Sequence, residues 1–167
     1  GFPSEAIRWC LADAGLVPDD LDHVAINSDP RANRWRKLAY LFAYRPDPRF
    51  LVQKLRNKQE RAGVADELRS LFPKSALGAK VHFVEHHLAH LSSAFHCSPF
   101  EAAVTVSVDG FGDFASGAWG VGRGTDVGVD GRVYFPHSLG AFYTAVTQFL
   151  GFPHYGDEYK VMGLAPY

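Results

Sequence analysis

The sequence predicts an α/β fold, a mixed sheet with flanking helices, and two features predict it. Near the start a helical pattern is followed after a short loop by a strand pattern, the order of elements in an α/β layer. From Pro73 onward, runs of period two alternate with runs of period 3.6.

The elements follow in order. Ser4 is the expected N-cap of a first helix, with Ile7, Leu11 and Ala14 on one face and Gly15 as its stop. "VPDDLDHVAINSD" gives a turn and a short strand from about Asp22 to Asn27, where Val24 and Ile26 alternate. Between Pro30 and Phe72, Arg and Lys recur among aromatic and aliphatic residues. Two basic amphipathic helices account for this pattern, broken near "RPDPRF" by Pro46 and Pro48. A basic arm for a polyanion or a partner protein is the other reading, although charge runs more often form solvated faces.

Beyond Pro73, Ala79 to Glu85 alternates as a strand and a helix is expected from about His86 to His96. "AAVTVSVDGFGD" reads as a strand with Val104, Val106 and Val108 buried, ending in a Gly-rich turn. "FASGAWGVGRG" is its return strand, so the two form a hairpin, and "VYFPHS" adds a third strand. In "SLGAFYTAVTQFLGF", Ser138 caps a helix whose apolar face is Phe142, Val146, Phe149 and Leu150. Both ends of the sequence read as the interior of a domain, so the fold is expected to be incomplete at both ends.

Composition narrows the function classes. Hydrophobic residues at 47% and charged residues at 21% describe a globular chain. A net charge of −1 predicts no general attraction to nucleic acid or to an anionic membrane. No apolar run is long enough to span a bilayer. Cys10 and Cys97 lack CxxC spacing, which points to a reducing, cytoplasmic setting.

The chemistry concentrates in "VEHHLAHLSSAF". At 100° per residue, His86, His90 and Ser93 share one helical face with Cys97 near them, Leu88, Leu91 and Phe95 share the opposite one, and His87 lies on the flank. A His pair one turn apart is the spacing that lets two imidazoles reach one metal ion. Such a pair also arises by chance, so a third ligand is required. "SVDGFGD" offers one: Asp109 at the end of its strand, with Gly110 and Gly112 letting the backbone turn and approach a ligand. Backbone N–H groups there could hold phosphate oxygens, and Asp109 or Asp113 could bind a cation. A plain hairpin turn explains the same residues.

Taken together, "VEHHLAHLSSAFHCSPFEAAVTVSVDGFGDFASGAWGVGRG", "HSLGAFYTAVTQFLGF" and "GDEYKVMGLAPY" resemble the N-terminal region of the carbamoyltransferases, including the O-carbamoyltransferases of nodulation-factor and antibiotic biosynthesis. "FPSEAIRWCLADAGL" is similar to the family's early helix, so the likeness runs along the whole chain and is weakest between Pro30 and Phe72.

The resemblance implies a partial domain of the actin-like ATPase superfamily with a ribonuclease-H-like layout, interrupted by a helical insertion at about 30–72. It implies ATP and a carbamoyl-adenylate intermediate, carbamoyl phosphate as donor, and a small-molecule hydroxyl as acceptor. The resemblance further implies a separate domain, in the remainder of the polypeptide, that makes the adenylate. By resemblance the metal ligands and catalytic residues are His86, His90 and Asp109, with a further carboxylate expected beyond Tyr167. Gly110, Gly112 and Asp113 match the turn that faces the nucleotide, and Lys160 and Gly163 match a segment assigned to nucleotide or substrate contact. The family's opening strand pair and everything after "GLAPY" are missing from this sequence, so the fragment alone is expected to be inactive. Two imidazoles and a carboxylate suit Fe, Mn or Zn. A threonylcarbamoyl-adenosine tRNA-modifying transferase would share "HHLAH", but it should carry a Ser-Gly-Gly-His-Thr type turn where this chain has "VDGFGD". A non-catalytic actin-like binding module is the alternative from another class.

Overall fold

The computed structural model describes residues 2–44, 63–75, 78–154 and 156–167. The Pro46–Pro48 break and the basic residues from Arg45 to Arg61 lie outside them. Two compact units divide the chain: Gly1–Ile26 with Ala39–Val84, and Asn27–Leu38 with Glu85–Tyr167.

In the first unit, helix α1 (Ser4–Asp13) ends before Gly15, whose φ of +66° is the left-handed stop that the sequence predicts. Ser4 is the first helical residue rather than the cap; Pro3 occupies the cap position and no side chain caps the end. Ile7 and Leu11 are half-buried, whereas Ala14 is exposed. Strand β1 (His23–Ile26) pairs in parallel with β2 (Lys80–Phe83), His23 opposite Lys80 and Ile26 opposite Phe83. Helix α3 (Val64–Leu71) buries Leu68 in this unit. Helix α2 spans Arg34–Tyr44.

The second unit is an antiparallel meander of β3 (Ala102–Gly112), β4 (Ala115–Arg123) and β5 (Asp126–Tyr134). Helix α4 (His86–His96) packs across all three strands, α5 (Leu139–Phe149) lies on β3, and α6 (Glu158–Leu164) lies on α5. The third strand begins upstream of the predicted "VYFPHS" and ends at Tyr134.

The meander inverts the expected burial of β3. Val104, Val106 and Val108 point away from α4, and Val104 is 75% exposed. The residues facing the helix are Thr105 and Ser107, with Ala118, Gly120 and Gly122 opposite on β4. Small residues there let α4 come close: the Phe95 ring fills the space where a Cβ on Gly122 would stand. Leu91 and Phe95 are buried beneath the helix as its period predicts. His87 is buried with them, fully inaccessible, rather than on the flank. Helix α5 likewise buries Thr147 and leaves Phe142, Phe149 and Leu150 exposed, so its inward face is not the predicted apolar one.

The hairpin turn also differs from expectation. Gly110 and Gly112 belong to β3, past an irregularity after Val108, and Gly112 still pairs with Ala115. The two-residue loop is Asp113–Phe114, with φ of +49° and +74°. Positive φ at both central residues suits the right-handed twist of a tight hairpin. Asp tolerates this region, because its short side chain can bond locally, whereas a Phe there is strained.

Candidate metal centre

Strand parity brings the site together. Thr105, Ser107 and Asp109 share the face of β3 that α4 covers, so the Asp109 carboxylate meets the first turn of that helix. Glu85 caps α4, its side chain accepting from the Leu88 N–H at 2.9 Å. His86 and His90, one turn apart, then aim their Nε2 atoms at one point, 3.0 Å from each other. Asp109 Oδ2 lies 2.8 Å from His86 Nε2 and 3.7 Å from His90 Nε2.

These separations, 2.8, 3.0 and 3.7 Å, bracket those around a shared cation. Neighbouring donors around an ion with bonds of about 2.1 Å stand about 3.0–3.4 Å apart. The three donor atoms all lie within 4.8 Å of one another. His86 sharpens the point, because its Nδ1 is 3.2 Å from the Asn27 carbonyl oxygen. Both ring nitrogens therefore face oxygen acceptors, the closer being the ionised Asp109 carboxylate. Without a cation Nε2 carries a hydrogen to Asp109; with a cation at that point Nε2 would give it the lone pair and Nδ1 would keep the hydrogen for Asn27. Such a bond from the distal nitrogen is the usual way a metal-binding imidazole is oriented.

Partial burial raises the Asp109 pKa, but the hydrogen bonds from His86 and the Gly110 N–H, and the nearby positive charge of His86 and His90, outweigh it. The carboxyl consequently sits below its ordinary value and is held ionised.

Backbone contacts fix both sides of the site. Ser138 Oγ donates to the carbonyls of Asp109 and Gly110, at 3.1 and 2.8 Å, while accepting from the Ala141 N–H at 3.0 Å as the α5 cap. Gly140 lets that helix sit on the strand: a Cβ there would lie 2.7 Å from the Asp109 carbonyl oxygen. Gly112 has the same function for the other partner, its missing side chain leaving room for the His86 ring. Ser138 was legible as a cap, but Asn27, Ser107 and Gly140 carried no signal in the sequence, because their roles depend on distant partners.

The remaining predicted residues have internal duties. Asp113 accepts from Ser28 Oγ at 2.9 Å, the Asp29 N–H at 2.7 Å and the His86 N–H at 2.9 Å. Its own carbonyl accepts from the Asn33 side chain at 2.9 Å. Gly110 donates its N–H to Asp109 Oδ1 at 2.6 Å. Lys160 on α6 pairs with Asp157 Oδ1 at 2.6 Å and lies over the Phe152 and Tyr159 rings. Gly163, also on α6, has open space around it. Ser93 bonds back to the His90 carbonyl, and Cys97 is an exposed thiol at the end of α4.

Fold and site define an α/β protein with a His-x-x-x-His pair and an aspartate whose donor atoms lie close enough together to hold a metal ion. The chain belongs to the family described as Carbamoyltransferase N-terminus, which it matches over residues 1–167. It is 33% identical over 175 residues to the uncharacterized protein sll1178 of Synechocystis, covering 99% of this chain and 28% of that protein. It is 32% identical over 174 residues to nodulation protein NolNO of Sinorhizobium fredii, covering 99% of this chain and 23% of the relative. Nodulation protein NolO of Bradyrhizobium diazoefficiens is 48% identical over 86 residues, half of this chain and 15% of the relative. The chain thus spans about a quarter or less of the curated relatives it matches. Among the described residues no helix is long and apolar enough to cross a membrane.

Proposed function

We propose that this chain is the metal-holding part of an O-carbamoyltransferase, moving a carbamoyl group from carbamoyl phosphate through a carbamoyl-adenylate made with ATP to a hydroxyl of a sugar or natural product. Family membership supports carbamoyl transfer. The observation that carries the metal is the convergence of His86 Nε2, His90 Nε2 and Asp109 Oδ2 on one point, with His86 Nδ1 facing the Asn27 carbonyl.

His86, His90 and Asp109 would hold a divalent Fe, Mn or Zn ion. The ion would supply Lewis-acid chemistry, polarising the carbamoyl carbonyl or acidifying the acceptor hydroxyl. Asn27 sets the tautomer of His86, and Ser138 with Gly140 holds the backbone of Asp109. His90, the more exposed imidazole, borders the open side where a substrate arrives.

The actin-like, ribonuclease-H-like layout, the helical insertion at about 30–72 and an adenylate-forming domain elsewhere in the polypeptide belong to the same reading. So do the nucleotide-facing roles of Gly110, Gly112, Asp113, Lys160 and Gly163. Their support is the likeness of "DGFGD" and "KVMGLA" to the family's segments. A cytoplasmic location agrees with two exposed free thiols.

The test uses the full-length protein purified without chelator. It should carry close to one divalent metal per chain and transfer carbamoyl from carbamoyl phosphate in an ATP-dependent way, and His86→Ala should lose both properties. A metal-free wild-type protein that transfers carbamoyl, or a His86→Ala variant with intact activity, would sink the metal assignment.

A further inference from the structure

A second polar layer lies beneath the metal residues. Ser107, Ala118 and Arg132 stand directly opposite one another across β3, β4 and β5, forming one row on the face that α4 covers. The start of α4 is gripped at both ends of this row. His87 Nδ1 is 2.9 Å from Ser107 Oγ, and Arg132 Nη2 donates to Glu85 Oε2 at 3.2 Å. Ala118 between them is small and buried. The two anchors are two strand spacings apart, about 10 Å. His86 lies between Glu85 and His87 in sequence, so both of its neighbours are tied to the sheet.

We propose that the Glu85–Arg132 ion pair and the His87–Ser107 hydrogen bond are a positioning device that sets the rotation of α4, and with it the direction of His86 and His90. This inference rests on the metal reading of the site above. Two separated anchors fix a helix about its axis, which one anchor cannot do. A side-chain nitrogen about 6 Å from the axis moves about 0.5 Å for a turn of only 5°, already the tolerance of a functional constellation. The layer is also poorly suited to a purely stabilising role. Among the described residues Glu85 Oε1, Arg132 Nε and His87 Nε2 are buried without a hydrogen-bond partner. A half-buried ion pair with such loose ends stabilises less than apolar packing of the same volume, so its consequence is geometric. The Leu88 N–H joins Arg132 on Glu85 Oε2, coupling the cap to the anchor.

The experiment is Co(II) titration of the full-length protein, reading affinity and visible ligand-field spectrum, in wild type, Arg132→Met, Arg132→Lys and Ser107→Ala. Arg132→Met should bind Co(II) about 10-fold more weakly with a changed spectrum, the effect typical of an outer partner of a metal ligand. Ser107→Ala should weaken binding in the same direction, and Arg132→Lys should recover part of the loss by keeping the charge. If Arg132→Met does not fold, Arg132→Lys and Ser107→Ala carry the reading. Wild-type affinity and spectrum in every folded variant would overturn the proposal. A wild-type protein that takes up no Co(II) overturns the metal reading alone. The positioning is then read from the His86 ring nitrogens by NMR of histidine-labelled protein. Shifts that move in the variants support it, and unchanged shifts overturn it.

Discussion

The His86 imidazole lies against the backbone of Gly112, in the space that any side chain at that position would occupy. A glycine matched by resemblance to a nucleotide-facing turn is thereby a packing partner of the His86 ring. Gly112→Ala should displace the His86 ring and cost about 1–3 kcal/mol of stability, the usual penalty of overpacking. Thermal unfolding together with metal affinity checks this. A variant with unchanged affinity would show that the ring is free to move aside.

Gly140 makes the corresponding contact for Asp109, with backbone atoms of Asp109 and Gly110 2.6–2.7 Å from where a Cβ would stand. Backbone cannot step aside as a side-chain tip can. Gly140→Ala is therefore expected to be at least as disruptive as Gly112→Ala, lifting the start of α5 from β3. The readout is the melting temperature of the two variants side by side.

Asp113 should behave as a structural hub. Asp113→Ala removes the acceptor of three donors at a residue whose backbone is left-handed. A loss of about 2 kcal/mol or more is expected, and Asp113→Asn should retain a good part of it. Denaturant unfolding measures both. If Asp113→Ala is as stable as wild type, the carboxylate does not hold the segment from Ser28 to Asn33.

Asp109→Asn separates a hydrogen from a metal ion between His86 Nε2 and residue 109. An amide can donate to a neutral Nε2, so the metal-free site should keep its hydrogen bond and its stability. Metal affinity should fall at least about 100-fold, more than loss of an outer partner produces. Titration with Zn(II) or Co(II), alongside unfolding of the metal-free protein, distinguishes these outcomes.

The Asp157–Lys160 pair sets an expected pH dependence. The Lys160 hydrogen bond, opposed by burial and assisted by the His154 N–H, holds the Asp157 carboxyl below its ordinary 3.8. The Asp157 bond raises the Lys160 ammonium above its ordinary 10.5. The depressed acid contributes stability in full above 3.8 and loses it as pH falls through its lower folded value. The raised base contributes below 10.5 and loses it as pH rises through its higher folded value. Between those limits Asp157→Asn should be less stable than wild type, with the difference closing toward both extremes. A difference in melting temperature that stays constant across pH would contradict this.

By itself the sequence determined the mixed α/β character, the helix from His86 to His96, and the pairing of His86 with His90. Each depends on a local period, and a period survives whatever the chain packs against. It also marked Asp109 as a third donor, although it placed the residue at a turn that lies four residues further on, at Asp113–Phe114. Only the tertiary structure decided which face of β3 and of α5 was buried. The alternation in β3 is equally clear whichever side is inward, and the close approach of α4 over small residues turned Val104, Val106 and Val108 outward. The same approach took His87 from the flank into the core, bonded to Ser107. Asn27, Gly140 and Arg132 acquired their roles in the same way, through contacts between residues far apart in sequence.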